Sequence, residues 1–212
     1  LNLKNNGMKA SRLDNLADGI FAIVMTLLVL QIRVPEIIGR VTNEKVWDSL
    51  LEIKPLFFSY LLSFALLFTY WRAHHYFTSV YAKNIDIRLT NINALFLALV
   101  ALVPFSAQLL GTYSHTQIAI SLYGLHVILL GATLWWMRDY IIKSKYIENS
   151  EISERDLRHS TLRLAVPIIC SVLAILISFI NPTLSLALYT FAIIFNLLPQ
   201  SAALFGHLWH EK

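Results

Sequence analysis

Apolar positions in this chain fall into long unbroken runs rather than alternating with polar ones, and short charged segments separate the runs. A helix that crosses a bilayer needs about 20 mostly apolar residues, so the charge-free intervals predict the elements. The first interval is Gly19 to Ile32, within RLDNLADGIFAIVMTLLVLQIR, and the second is Pro55 to Trp71. Leu89 to Met137 carries no Asp, Glu, Lys or Arg, long enough for two helices divided at Gly111-Thr-Tyr-Ser-His-Thr-Gln117. Leu164 to Trp209 is equally charge-free and is divided at Asn181-Pro182-Thr183, a strong turn signal. Six membrane helices are predicted, at approximately 14–33, 55–75, 89–110, 117–137, 162–180 and 183–207, in a single domain over 1–212.

Basic residues test that count, because Lys and Arg concentrate in cytoplasmic loops. With the N-terminus inside, 13 of the 17 Lys and Arg fall on inner segments, and the other four (Arg33, Arg40, Lys45, Lys54) all fall in the first outer loop. The expectation is an all-α integral membrane protein with both termini cytoplasmic. Composition agrees, at 57% apolar and 14% charged residues with a mean hydropathy of +0.60. In such a protein the net charge of +4 reflects cytoplasmic loops rather than nucleic-acid binding. The start does not read as a cleaved signal peptide, since no small-residue cleavage site follows the run and similar runs succeed it. Cys170 is the one cysteine and lies in an apolar run, so one chain can build neither a disulfide nor a thiolate cluster.

The first helix is unusual. Its 14 uncharged residues rise about 21 Å, short of the ~30 Å hydrocarbon core, which brings Asp18, with Asp14, towards membrane depth. Ionisable groups at that depth face the bundle or a wet cavity. The bland alternative is that Asp14, Asn15 or Asp18 only cap the helix. A polar network is favoured because helix 2 ends in Trp71-Arg72-Ala-His74-His75 and helix 3 begins with Asn91-Ile-Asn93, all at the level of Arg12 and Asp18. Adjacent histidines point about 100° apart on a helix, and His74 and His75 have no further ligand at metal spacing, so hydrogen bonding is the reading for both. His207 and His210 read as a solvated helix end.

Gly19, Ile23, Thr26, Leu27 and Leu30 share one stripe of the first helix. An apolar stripe with an acidic end, on a helix too short to face lipid, suits the centre of an assembly, and apolar constrictions can gate pores by dewetting. Gly124 and Gly131 permit close helix contact. No phosphate loop, nucleophile elbow or metalloprotease helix is present, so the chain reads as no enzyme.

These residues resemble the potassium channels named for transmembrane protein 175. That family opens its first helix with R-x-x-x-F-S-D, a glycine and an apolar run; Arg12, Asp18 and Gly19 match, while Leu16 and Ala17 replace the Phe-Ser pair. Trp71-x-x-His74-His75, Asn93 and Pro104-Phe105 are also similar to the family, so the resemblance covers the six-helix plan with its motifs in the first half. It implies a homotetramer in a prokaryotic cell membrane, passing potassium ions without a bound cofactor. It further implies a pore lined by the first helix, with Ile23, Leu27 and Leu30 as the constriction, Gly19 and Thr26 beside them, and Arg12, Asp18, Trp71, His74, His75 and Asn93 as an inner network. No T-V-G-Y-G-like filter segment exists here. Two other classes stay open: a proton- or ion-coupled transporter using Asp18 with His74 or His75, and a non-transporting membrane scaffold.

Overall fold

A computed structural model describes residues 10–148 and 153–198, and the described residues form helices without an extended strand. In chain order these are α1 (Ala10–Val29), α2 (Asn43–Glu52), α3 (Lys54–His75), a π-helical turn (Tyr76–Tyr81), α4 (Ile87–Thr112), α5 (Gln117–Lys143), α6 (Glu154–Ile177) and α7 (Pro182–Leu197). Their starts follow from capping chemistry, in which a short polar side chain accepts a free N–H of the first turn. Asp86 accepts from Leu89 N, Thr116 from Ala119 N, Ser153 from Asp156 N and Asn181 from Leu184 N. Pro182 follows Asn181 at the first helical position, where its missing N–H leaves no bond unmade.

Four helices among the described residues are long and apolar enough to cross a membrane: Lys54–Tyr81, Ile87–Thr112, Gln117–Lys143 and Asp156–Ile177. The six expected from hydropathy are thus four by length and composition. α1 carries Arg12, Asp14 and Asp18 in its first half, and α7 is an apolar helix of 16 residues. The remainder of the expected 183–207 helix, with His207 and His210, lies outside the described residues.

Several boundaries differ from the hydropathy reading. α1 begins at Ala10 and ends at Val29, so it is shifted towards the N-terminus relative to 14–33. Its C-terminal end tightens: Leu30, Gln31 and Ile32 donate to the carbonyls of Leu27, Leu28 and Val29 at 3.0 to 3.3 Å, the three-residue spacing of a closing turn. Gln31 Nε2 then donates to the carbonyl of Pro104 and ties this end to α4. The connection between α1 and α3 holds the unforeseen α2. α5 runs on to Lys143 and α6 starts at Glu154, so the connection expected from Arg138 to Arg163 is mostly helix. Arg138 is 6% exposed and donates to Ser160 Oγ, Thr161 Oγ1 and the Leu157 carbonyl. Arg138, one residue past the predicted 117–137 helix, therefore clamps α5 to α6.

Each long helix packs against its successor, and α1 packs on α3 and α4. α5 is central, with Ile120, Leu130, Leu134, Met137 and Ile141 fully buried. Gly124 and Gly131 make its approach to α6 possible. A Cβ on Gly131 would stand 2.8 Å from Ile168 Cγ1, and one on Gly124 would collide with the Tyr189 hydroxyl and lie 2.9 Å from Ile175 Cγ1. Close backbone approach of this kind drives association where lipid is as apolar as protein. Some buried hydroxyls find partners across helices: Tyr189 donates to the Ile120 carbonyl at 2.7 Å.

Candidate functional site

The polar residues singled out in the first half converge at one end of the bundle, where α1 and α4 begin and α3 ends. Asp14 and Asp18 are one and two turns inside α1, because the helix starts at Ala10. Helix capping therefore does not explain them. Both oxygens of the Asp14 carboxylate are engaged, Oδ1 by the Thr78 hydroxyl at 2.6 Å and Oδ2 by the Ser79 hydroxyl at 2.7 Å. With the Ser79 proton given to Asp14, His75 Nδ1 is the donor in its 3.3 Å contact with Ser79 Oγ.

Asp18 accepts a 2.7 Å bond from the Trp71 indole Nε1. Trp71 and His75 are four residues apart on α3 and stack, with centroids 6.1 Å apart and planes inclined by 23°. One continuous path of contacts thus runs Asp18, Trp71, His75, Ser79, Asp14. His74 turns to the interior instead. It is 1% exposed, lies parallel to Phe96 at 5.5 Å, and bonds Asn93 Oδ1 through Nε2 at 2.6 Å. With the Asn93 amide in this orientation Nε2 carries the proton. Hydrogen bonds to charged groups are worth about 1.5–3 kcal/mol each, so the acidic side chains of α1 hold its first half against α3 and the π-helical turn. That turn matters because it carries Thr78 and Ser79; π segments recur at functional sites.

Sequence reasoning placed Arg12, Asp18, Trp71, His74, His75 and Asn93 in one network. The structure brings all but Arg12 into contact with a neighbour in it. Arg12 is exposed in the first turns of α1, and no hydrogen bond or ion pair involves it among the described residues. Asp14, Thr78 and Ser79 were missing from that set. The available signal was a hydroxyl pair three and four residues beyond His75, which matters only if the helix continues past His75, as it does. No group of three or more possible metal ligands occurs among the described residues.

The other feature is the two-sided nature of α1. Leu13, Ala17, Phe21, Val24 and Leu28 form its packed face, none more than 4% exposed. Ile23 and Leu27 lie on another face and are 59% and 44% exposed, with Leu16 in line at 53%. Leu30 is exposed as well, but sits in the turn after Val29 rather than on the helix, a correction to the expected stripe that follows from the early helix end. Thr26 donates to its own Ile23 carbonyl at 2.8 Å, and a Cβ on Gly19 would meet nothing within 4 Å. Asp18 is five residues from Ile23, about 140° around the helix, so the acidic group and the apolar stripe face different directions.

The described residues form a bundle with four helices long and apolar enough to cross a membrane, a network of paired polar groups at one end and an open apolar face on α1, and comparison with known proteins gives its class. Residues 12–104 match the family described as endosomal/lysosomal potassium channel TMEM175. A potassium channel of Chryseobacterium sp. (strain P1-3) is 31% identical over 91% of this chain and 95% of that protein. The rat endosomal/lysosomal proton channel TMEM175 is 25% identical over 84% of this chain, which spans 36% of that longer protein. In three dimensions the chain is similar to the crystal structure of a lysosomal potassium-selective channel TMEM175 homolog from Chamaesiphon minutus, with a TM-score of 0.76, 27% identity, and coverage of 89% of this chain and 96% of that one. The chain belongs to the TMEM175 channel family, whose members are ion channels and not enzymes.

Proposed function

We propose that this protein is a potassium-permeable cation channel in which four copies enclose one pore lined by α1. The exposed apolar face of α1 carries this reading: a ring of identical chains that closes by rotation brings the same face of every copy to the axis. Ile23 and Leu27, continued by Leu30 in the closing turn, then form stacked apolar rings, with Gly19 and Thr26 beside them. Such a neck resists hydration and gates by dewetting. The potassium preference is taken from the names of the bacterial relatives, since apolar rings supply no carbonyl field of their own. α1 and α7 complete six spans beside the four long helices, with both ends of the chain on the cytoplasmic side of the cell membrane, where the excess of Lys and Arg places them.

In this arrangement Asp14 and Asp18 do not line the neck. They anchor α1 to α3, so the position of the rings depends on the network of Trp71, His74, His75 and Asn93. Bilayer recording of verified tetramers under biionic potassium and sodium tests the proposal. The expected result is a current whose reversal potential reports a potassium preference, and electrically silent tetramers refute it. The name of the rat relative favours a second reading, proton permeation through the same pathway, which would appear as a reversal potential following an imposed pH gradient.

A further inference from the structure

His126 stands on α5 nine residues beyond Gln117, in the stretch from Leu89 to Met137 that carries no Asp, Glu, Lys or Arg. An ionisable group at that depth is a functional-site candidate by default. The ring is partly buried, and α4 engages both of its nitrogens: Nε2 lies 2.9 Å from the Leu99 carbonyl and Nδ1 lies 2.8 Å from Ser106 Oγ. A carbonyl only accepts, so Nε2 carries a proton. Ser106 Oγ is also 3.1 Å from the Val103 carbonyl, and a hydroxyl has one proton to donate. The same heavy atoms therefore serve two protonation states. With a neutral ring, Ser106 donates to Nδ1. With a second proton taken from water onto Nδ1, the ring donates to Ser106 Oγ and the serine proton turns to the Val103 carbonyl. Neither state strands a donor.

The neighbouring titratable groups are phenols. Tyr123 of α5 itself shares a hydrogen bond with Ser63 Oγ at 3.3 Å, Tyr70 of α3 donates to the Val127 carbonyl at 3.4 Å, and Tyr189 of α7 donates to the Ile120 carbonyl at 2.7 Å. All three stay neutral where a histidine titrates. α6 meets α5 here through Ile168 and Ile175. At the end of α1, Gln31 is uncharged and Arg33 beyond it is exposed. The position of the site gives its charge a consequence. Leu99 lies five residues before Pro104 and Ser106 two after it, inside α4, and a proline there removes the helical bond to the carbonyl four residues back. His126 thus braces α4 across its weakest turn. The Pro104 carbonyl accepts Gln31 Nε2 from the closing turn of α1 that holds Leu30. We propose that His126 is a proton-binding site whose charge state sets how firmly α4 is held across Pro104 and, through Gln31, where the end of α1 stands. Charge-assisted hydrogen bonds are about twice as strong as neutral ones, so the protonated ring is the firmer brace. Only the effect on the neck rests on the channel reading; the proton site does not.

The test uses the full chain in lipid nanodiscs with ring-nitrogen-labelled histidine, followed by NMR from pH 4 to pH 9. The sequence has seven histidines, and the signal lost in His126→Gln is that of His126. It is expected to pass from a neutral ring protonated on Nε2 to a doubly protonated ring within this range. Ser106→Ala takes away the acceptor of the charged form, a stronger bond than the one lost by the neutral form, and should move the midpoint to lower pH by about half to one unit. Hydrogen exchange of residues 100–107, corrected for its intrinsic pH dependence, should be slower when the ring is doubly protonated and should lose that response in His126→Gln. A His126 signal that keeps one protonation state throughout overturns the proposal. So does a midpoint that Ser106→Ala leaves in place or raises, and so does exchange around Pro104 that ignores the titration. Should His126→Gln fail to fold, the signal displaced by Ser106→Ala identifies His126, and displacement of none overturns the proposal. Open probability recorded across the same pH range tests the link to the neck: it should follow the His126 midpoint in the wild type and its displacement in Ser106→Ala. Titration of His126 in electrically silent tetramers would leave the proton site standing and remove the channel reading alone.

Discussion

Leu27 and Leu28 are neighbours in sequence with opposite surroundings, and that contrast gives the sharpest test of the pore assignment. Leu28 is fully buried against the bundle, whereas Leu27 is 44% exposed. Truncating a buried leucine to alanine costs about 2–5 kcal/mol, so Leu28→Ala should lower the melting temperature clearly. Leu27→Ser removes little packing within one chain and should change stability by no more than about 0.5 kcal/mol. In the proposed pore its effect belongs to the neck. Fully burying a leucine is worth about 1.5–3 kcal/mol, and the exposed 44% of the side chain corresponds to about 1 kcal/mol. Four copies around a pore make about 4 kcal/mol, enough to shift the balance between dry and wet necks by up to about a thousandfold. Single-channel recording of both variants, with tetramers verified by mass, should show a large rise in open probability or a loss of selectivity for Leu27→Ser alone. Wild-type currents from Leu27→Ser, or a permeation change confined to Leu28→Ala, would refute the placement of Leu27 in the neck.

Other expectations follow from contacts in single subunits. Asp14→Asn keeps the shape but removes the charge that both Thr78 and Ser79 serve; about 1–3 kcal/mol of stability should be lost, and hydrogen exchange should quicken in α1 and the π-helical turn before elsewhere. Gly124→Ala places a methyl group against Ile175 and the Tyr189 hydroxyl, an overpacking that should cost about 1–3 kcal/mol in thermal melts of the detergent-solubilised protein. Arg138→Met deletes three hydrogen bonds to α6; melting should fall markedly, with protease sensitivity appearing first between α5 and α6. Trp71→Phe removes the bond to Asp18 while retaining a ring against His75, and should alter gating kinetics more than melting, because Asp18 is exposed.

By itself the sequence determined the class of protein. Uninterrupted apolar runs admit only helices in a bilayer, because each backbone N–H and C=O must be satisfied within its own segment, and the positions of Asp18, Trp71, His74, His75 and Asn93 marked one end of the bundle as polar. It also marked Ile23 and Leu27 as a stripe, since helical periodicity alone fixes which residues share a face. Where α1 begins and ends was decided by tertiary structure. Hydropathy places this helix at 14–33, whereas α1 runs from Ala10 to Val29, and Asp14 and Asp18 sit well inside it with Thr78 and Ser79 satisfying Asp14 and Trp71 satisfying Asp18. Arg138, one residue past the predicted 117–137 helix, is likewise buried among Ser160, Thr161 and a carbonyl in three dimensions. Which of the two apolar faces of α1 packs and which stays open was equally beyond the pattern: periodicity groups residues into faces, but only the packing of α3 and α4 chooses between them.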